Sequence, residues 1–210
     1  MYDFNDIKEK WEQCKTEYEQ QYSDCTEDWK FVHGENQWDS DATRVRKGRP
    51  TLVLNQMLPY VNQVVNDIRQ SNIAIRVSPV DDGADIKTAE VFSGIIRNIE
   101  RQSSANIVYS TAAMNAVGAG IGWIRVTTDY ASPMSFDQEI RIERVLDFTS
   151  VYLDPASKEL DGSDAEYAFI KILLSESEFE SRYPDAEIVS FDDGCTNEGE
   201  ICIVEYYSRE

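Results

Sequence analysis

The chain has 210 residues, 41% of them hydrophobic, and its 39 acidic against 20 basic residues give a formal net charge of −19. This length and apolar content suffice for one domain with a packed core or two small ones, and they exclude wholesale disorder. Because the charge repels nucleic-acid phosphates, the chain as a whole is not a sequence-specific DNA reader, although it can border a path along which DNA slides.

Targeting and redox signals are also informative. The start, MYDFNDIKEK, has neither the basic residues nor the apolar stretch of a signal peptide, and the longest weakly polar run, residues 112–124, is short for a membrane span. None of the four cysteines belongs to a CxxC pair: Cys14, Cys25, Cys195 and Cys202. We therefore predict reduced thiols in a cytosolic setting and no membrane partner.

The first predicted element is an amphipathic helix over residues 4–29. Larger residues recur there at alternating steps of three and four and form a mostly aromatic stripe: Phe4, Ile7, Trp11, Cys14, Tyr18, Tyr22, Cys25 and Trp29. This stripe packs either on the rest of the chain or on a neighbouring subunit. In the second case the expected contact residues are Trp11, Tyr18, Tyr22 and Trp29. We assign the helix to a segment of its own, residues 1–30.

A loop over residues 33–50 carries the one concentration of basic residues: Arg44, Arg46, Lys47 and Arg49. Two interpretations stay open. The four charges either make local salt bridges on a solvated loop, or they contact phosphate or an acidic partner subunit. The first is favoured, because four charges give only a modest salt-dependent affinity.

Three further helices are predicted. The first is capped by Asn55 and ends near Gln70, with a buried face of Met57, Leu58, Val61, Val64, Val65 and Ile68. After a short strand at 73–77, the second begins near Asp85 and buries Ile86, Ala89, Phe92, Ile96 and Ile99. The third covers residues 104–117, where small residues permit close helix contact.

Beyond residue 120 the apolar period becomes two, which predicts strands. Residues 123–129 and 139–144 form a β-hairpin around the loop YASPMSFD. Further strands are expected at 151–153, 167–174 and 201–207. Ser175 and Glu178 form a capping box for a short helix before the last strand. Helices followed by a mostly antiparallel sheet predict an α+β fold for residues 31–210.

Three glycines at alternate positions, Gly118, Gly120 and Gly122, resemble a phosphate-binding loop. A nucleotide loop follows a strand and opens a helix, whose N-terminus holds the phosphate. Here the order is helix, glycines, strand, so the segment lies at the negative end of a helix dipole, and it lacks the Lys-Ser/Thr pair of a P-loop. We predict that the glycines only end the helix and turn the chain.

No other motif predicts chemistry. The many carboxylates lie on no recognisable catalytic frame, and the single histidine, His33, argues against hydrolytic triads and His-based zinc sites. The acidic turns lack the residue spacing of an EF-hand loop. We therefore predict no catalytic residue, no metal and no cofactor, and a protein that is not an enzyme.

Five stretches, in this order, resemble the P22-like portal proteins of short-tailed bacteriophages of the podovirus type. They are NQWDSD at 36–41, GRPTLVLNQMLPYVNQVVNDIRQSNIAIRVSPVDDGAD at 48–85, GIGWIRVTTDY at 120–130, VYLDPASKELDGSDAEYAFI at 151–170 and IVEYYSRE at 203–210. Together they span nearly the whole chain, and their joint order makes chance similarity improbable, particularly the turn LDPASKELDGSDA and the segment GIGWIRVTTDY. The first 30 residues are similar only in forming a polar amphipathic helix.

The resemblance implies a structural head–tail connector subunit. Such subunits form a ring, typically a dodecamer, at one vertex of the virion, and the ring is assembled in the host cytoplasm. Double-stranded DNA passes through without sequence-specific binding. The implied partners are the terminase large subunit, capsid and scaffolding proteins, and a tail adaptor. The present residues correspond to the wing region, so we expect the stem, clip and C-terminal parts beyond Glu210.

Two other functions stay open from the residues alone. One is a stand-alone phage adaptor or interaction module that binds its partner through the aromatic stripe of the first helix. The other is a nucleotide-binding enzyme that uses the glycine segment, which the order of helix and strand argues against.

Overall fold

The structure is a computed structural model, and it describes residues 3–35, 37–38, 48–50, 52–71, 75–79, 85–159, 161–186 and 200–209. The chain divides into two compact units. We call residues 1–23 with 149–210 the aromatic unit and residues 24–148 the helical unit. The residues of the first helix are thus shared between the two.

The described helices and strands follow the predicted order and confirm the α+β class. The helices are α1 (Phe4–Val32), α2 (Met57–Gln70), α3 (Ile86–Gln102), α4 (Ala105–Ala119) and α5 (Glu176–Arg182). The strands are β1 (Ile124–Tyr130), β2 (Gln138–Arg144), β3 (Val151–Leu153), β4 (Tyr167–Ser175) and β5 (Glu200–Ser208), and a short 3-10 helix (Phe148–Ser150) precedes β3.

The core of the aromatic unit lies where α1 packs on a three-stranded antiparallel sheet of order β3-β4-β5. The Trp11 ring contacts Tyr152 and Phe169 edge to face, at centroid distances of 4.9 and 5.4 Å. Trp11 and Phe169 are almost fully buried. The Tyr22 hydroxyl donates a hydrogen bond to the carbonyl of Val151. The predicted aromatic stripe therefore supplies the core of this unit.

Among its described residues, the helical unit has two small cores. One joins Val32 at the end of α1 to Val61 and Val65 of α2. The other joins Cys25 to Ala119 and Phe148, with the rings of Trp29 and Trp123 packed against it.

Side chains just before α2 and α3 hold the first turns of these two helices. The Asn55 side chain accepts the backbone N–H groups of Met57 and Leu58, at 3.1 and 3.2 Å, and donates to the Val32 carbonyl at 2.7 Å. Asp85 accepts the N–H of Lys87 and so caps α3. Both side chains satisfy N–H groups that have no partner within the helix.

Two predicted helix faces are covered only in part within the described residues, which corrects the sequence analysis. On α2, Val61 and Val65 are buried as predicted, but Met57 and Val64 are exposed. On α3, only Ala89 is buried, whereas Ile86 is 65% and Phe92 53% exposed. Periodicity shows which residues share a face, but it does not show whether the same chain covers that face.

The predicted strand at 73–77 is also corrected. Residues 75–77 have no strand assignment, and residues 73–74 lie outside the described part of the chain. The Val77 N–H donates instead to the Ser93 hydroxyl of α3, at 3.2 Å. A side chain on a neighbouring helix thus satisfies a backbone group that a strand partner would otherwise take.

The β1–β2 hairpin is antiparallel as predicted, with Val126 opposite Ile142 and Thr128 opposite Ile140. Strand β2 contacts α3 and α4, and its Ile142 N–H donates to the Ser103 hydroxyl at the α3–α4 turn. The half-buried face of β1 carries Arg125 and Thr127, whereas the alternate residues along the strand are exposed. The hairpin thus leaves the apolar side chains of Val126 and Ile140 exposed while polar side chains of the same strands are half-buried.

Candidate functional site

The glycine segment joins α4 to β1, and the structure gives its three glycines different roles. Helix α4 continues to Ala119, two residues beyond the predicted end, so Gly118 lies within its last turn. Gly118 is in close contact with the Trp29 ring, because a Cβ at Gly118 would lie 2.7 Å from a ring carbon. Gly120 is the C-cap, with φ of +87°, and its N–H donates to the Ala116 carbonyl. This left-handed conformation is one that glycine adopts at no steric cost.

Gly122 is required by packing. A Cβ at Gly122 would overlap the carbonyl oxygen of Ala112, so only a glycine lets the chain run back along α4 at this distance. The next residue, Trp123, is half-buried, and its indole N–H donates to the Phe148 carbonyl at 3.1 Å. The segment is thus an anchored reversal at the C-terminal end of a helix, where the dipole disfavours phosphate.

A buried amide side chain, which the sequence analysis did not identify, stabilises the packing of α4 near the glycine segment. Asn115 is 4% exposed, and its Nδ2 donates to the carbonyls of Val145 and Leu146, both at 3.4 Å. It thereby ties α4 to the chain that follows the hairpin. Its one sequence signal is its position, an amide in an otherwise apolar and small helix face.

The aromatic residues that were expected as subunit contacts are placed inside their own units. Trp11 and Tyr22 are buried, and Tyr18 is half-buried against Tyr22 and Tyr152. Trp29 packs on Phe148 and beside Gly118. Trp11 and Tyr22 therefore offer no surface to a second protein, and packing within the chain, the other interpretation left open, describes them.

The aromatic core also holds a thiol. The Cys14 side chain has no exposed surface, and its Sγ–H donates to the Leu153 carbonyl at 3.5 Å. Burial raises the pKa of Cys14 to about 11, and the Asp154 charge adds to that shift. Burial and the neighbouring Cys14 likewise raise the pKa of Tyr167. A thiol with a raised pKa is unreactive as a nucleophile, so Cys14 is a packing residue.

The loop between β3 and β4 uses its carboxylates to hold its own backbone. Asp154 accepts the N–H of Ala156 at 2.9 Å, and Asp164 accepts the Ser157 hydroxyl at 2.5 Å and the Lys158 N–H at 2.7 Å. These hydrogen bonds to the charged form lower the pKa of Asp164 to about 2. The oxygens that a cation would need are already used by the loop.

The remaining predictions concern the basic residues, metal ligands and membrane spans. Arg44, Arg46 and Lys47 lie outside the described residues, and Arg49 is exposed. Within the described ranges, no three His, Cys, Asp or Glu side chains are grouped so as to hold a metal ion. The described helices are all too short or too polar to cross a bilayer.

The charge of the chain is distributed unevenly between the units. The aromatic unit has 22 acidic and 7 basic residues, a formal charge of −15, whereas the helical unit has 17 acidic and 13 basic residues, a formal charge of −4. Most of the repulsion towards phosphates, and towards a second copy, therefore originates in the aromatic unit.

A family model and a curated relative both match this chain to phage portal proteins. The family model described as Phage P22-like portal protein matches residues 8–210. The curated portal protein of Acyrthosiphon pisum secondary endosymbiont phage 1 is 28% identical over 138 residues, which make up 64% of this chain and 19% of that protein. The aligned part of the chain thus corresponds to about a fifth of the length of that relative.

Proposed function

We propose, from the premise that this chain belongs to the phage P22-like portal protein family, that it is part of a head–tail connector subunit. In this proposal, copies of the subunit form a ring at the portal vertex of the virion, and double-stranded DNA enters and leaves the capsid through it. The observation that carries the proposal is the family match over residues 8–210, nearly the whole chain.

The physical character of the chain supports a structural role. The family is a structural one, and the strongest pKa shifts in the described residues have packing causes: burial of Cys14 and Tyr167, and loop hydrogen bonds to Asp164. The glycine segment that a nucleotide-binding enzyme would need lies at the wrong end of its helix. A formal charge of −19 suits a protein past which DNA moves without adhering.

The proposed partners follow from the same premise. They are further copies of the subunit, the terminase large subunit, capsid and scaffolding proteins, and a tail adaptor, assembled in the host cytoplasm. The basic residues Arg44, Arg46, Lys47 and Arg49 remain a proposed contact for phosphate or for an acidic partner.

Electron microscopy of the protein produced from the complete reading frame containing this chain tests the proposal. We expect closed rings with a central channel wide enough for duplex DNA. Particles without rotational symmetry, at concentrations where the protein is folded, would contradict the connector and favour a stand-alone adaptor. Calorimetry with ATP is the matching test for an enzyme, and sub-millimolar affinity that Gly120→Val abolishes would revive that alternative.

A further inference from the structure

The β1–β2 hairpin exposes more apolar surface than a hairpin that packs on its own chain normally does. A two-stranded sheet is marginally stable unless an apolar face is covered, and the covered face normally carries the apolar residues. Here Arg125, Thr127 and Arg141 are half-buried, whereas Ile124, Val126, Tyr130 and Ile140 on the opposite face of the strands are exposed. We define the hairpin face as the six exposed apolar residues of the two strands and the loop between them: Ile124, Val126, Tyr130, Met134, Phe136 and Ile140.

The tip of the hairpin is the most exposed apolar surface of the described chain. Met134 is 96% and Phe136 94% exposed. The loop that carries them is nevertheless ordered by hydrogen bonds, since the Ala131 N–H donates to the Asp137 carbonyl and the Ser135 hydroxyl to the Asp137 carboxylate. Two large side chains presented on a braced loop are organised for insertion into another surface, because little ordering entropy remains to be lost.

A second exposed apolar surface lies in the same unit. We define the helix stripe as the outward residues of α2 and of the segment before it: Leu52, Leu54, Met57, Tyr60 and Val64. It lies on a different side of α2 from the buried Val61 and Val65. The described part of the helical unit therefore exposes the hairpin face and the helix stripe in addition to the uncovered residues of α3, Ile86 and Phe92.

The sizes of the two surfaces match each other and the needs of a specific interface. From the exposed fractions, the hairpin face exposes on the order of 800 Å² and the helix stripe on the order of 600 Å², against about 800 Å² per partner in a standard interface. Isolated apolar patches on soluble monomers are mostly smaller, roughly 300–600 Å². Each surface is thus about as large as the area that one partner contributes to a standard interface.

The distribution of charge indicates which protein covers the hairpin face. Two copies of this chain repel each other mainly through the aromatic units, each with a formal charge of −15, and far less through the helical units, at −4. Charge repulsion therefore favours contact between copies through the helical unit, where the hairpin face and the helix stripe lie. Arg144, opposite Ile124, is the one charged residue on the outward face of the two strands. The hairpin face thus has few charges to desolvate on contact.

We infer that the hairpin face of one copy docks onto the helix stripe of the next copy. Contact between two unlike surfaces is heterologous, so it repeats from copy to copy and gives a ring where the rotation between neighbours closes. This inference rests on the proposed function, and it assigns the contact between neighbouring subunits to two named surfaces. The aromatic stripe of α1 has no part in it.

The first experiment weakens the hairpin face in the complete protein. Phe136→Ser raises the protein concentration at which half of the subunits are in rings by at least about tenfold, as for an anchor side chain at an interface centre. The matched control is Phe92→Ser, the same chemical change at an exposed residue of α3 outside both surfaces, and it leaves assembly unchanged. Sedimentation velocity measures assembly, and the melting temperature of the dissociated subunit checks that both variants fold.

The second experiment identifies the partner surface by crosslinking. Subunits with Phe136→Cys are mixed with subunits with Tyr60→Cys and treated with a short bismaleimide, with the wild-type protein as the control for the native cysteines. A crosslinked dimer that forms in the mixture, and from neither variant alone, supports the inference. A crosslink from Phe136→Cys alone means that hairpin meets hairpin and overturns it.

The outcomes separate this inference from the proposed function. Wild-type protein that forms no ring overturns both. Wild-type rings, with Phe136→Ser assembling as the wild type does and no mixed crosslink, leave the connector standing and overturn the docking of hairpin on helix.

Discussion

The aromatic and helical units use their apolar residues in opposite ways. The aromatic unit has a formal charge of −15 and encloses its large rings, so that Trp11 and Phe169 have almost no exposed surface. The helical unit has a formal charge of −4 and leaves much of its apolar surface exposed, from α2 to the hairpin tip. A closed core with a charged exterior is typical of a surface that faces solvent or DNA. An open apolar surface with little charge is typical of one that other protein covers.

The largest expected effect tests whether the aromatic core is as closed as its burial indicates. Trp11→Ala removes a ring that contacts both Tyr152 and Phe169, and it should lower the free energy of unfolding by about 3–5 kcal/mol. Chemical denaturation of the variant measures the loss. The control is Phe4→Ala in the same helix, where the side chain is 52% exposed and the loss should be under about 1 kcal/mol. Similar losses for the two variants would contradict the closed core.

A second prediction concerns the tightest backbone packing in the helical unit. Gly122→Ala places a Cβ against the Ala112 carbonyl, which forces the backbone apart and should cost roughly 1–3 kcal/mol. Gly94→Ala is the matched control, because a Cβ on this glycine in α3 meets no atom within 4 Å. There the gain in helix propensity should stabilise the protein by about 0.5–1 kcal/mol. Thermal unfolding compares them, and a Gly122→Ala variant at least as stable as the wild type would show that the glycine reversal is not tightly packed.

A third prediction concerns the helix end itself. Gly120→Ala forces a side chain into a φ of +87° and should cost about 1–2 kcal/mol, although nothing crowds a Cβ there. Gly120→Asn should cost less, since asparagine tolerates the left-handed conformation better than alanine does. Equal melting temperatures for the alanine and asparagine variants would show that backbone strain is not the cause.

Features set by local sequence were the ones that could be predicted. The stripe of α1, the hairpin and the caps at Asn55 and Asp85 each depend on residues a few positions apart. The predictions that were wrong concern burial, which depends on the segments packed around a helix. The spacing of Ile86 and Phe92 showed a shared helix face, but nothing local shows that the described chain leaves it open.

The candidate sites divide in the same way. That Gly120 ends a helix could be read from its position after an apolar helix. The overlap between a Gly122 Cβ and Ala112, and the amide of Asn115 bonded to the Val145 carbonyl, join segments that are 10 and 30 residues apart. Such contacts are set by how α4 and the hairpin pack, which periodicity does not contain.

The smallest expected effect tests whether the acidic exterior of the aromatic unit is a diffuse charge or a set of organised loops. Asp164 accepts the Ser157 hydroxyl and the Lys158 N–H, which lowers its pKa from 3.8 to about 2. A carboxylate whose folded pKa is lowered contributes stability above its unfolded pKa, and that contribution is lost as the pH falls from about 3.8 to about 2. The carboxylate should therefore still be ionised at pH 3. NMR can follow this through the Lys158 amide shift, which should stay nearly constant from pH 6 to pH 3 and should differ in Asp164→Asn. A Lys158 shift that titrates with a midpoint near 3.8 would mean that Asp164 does not hold the loop and that its charge is merely one of many on the surface.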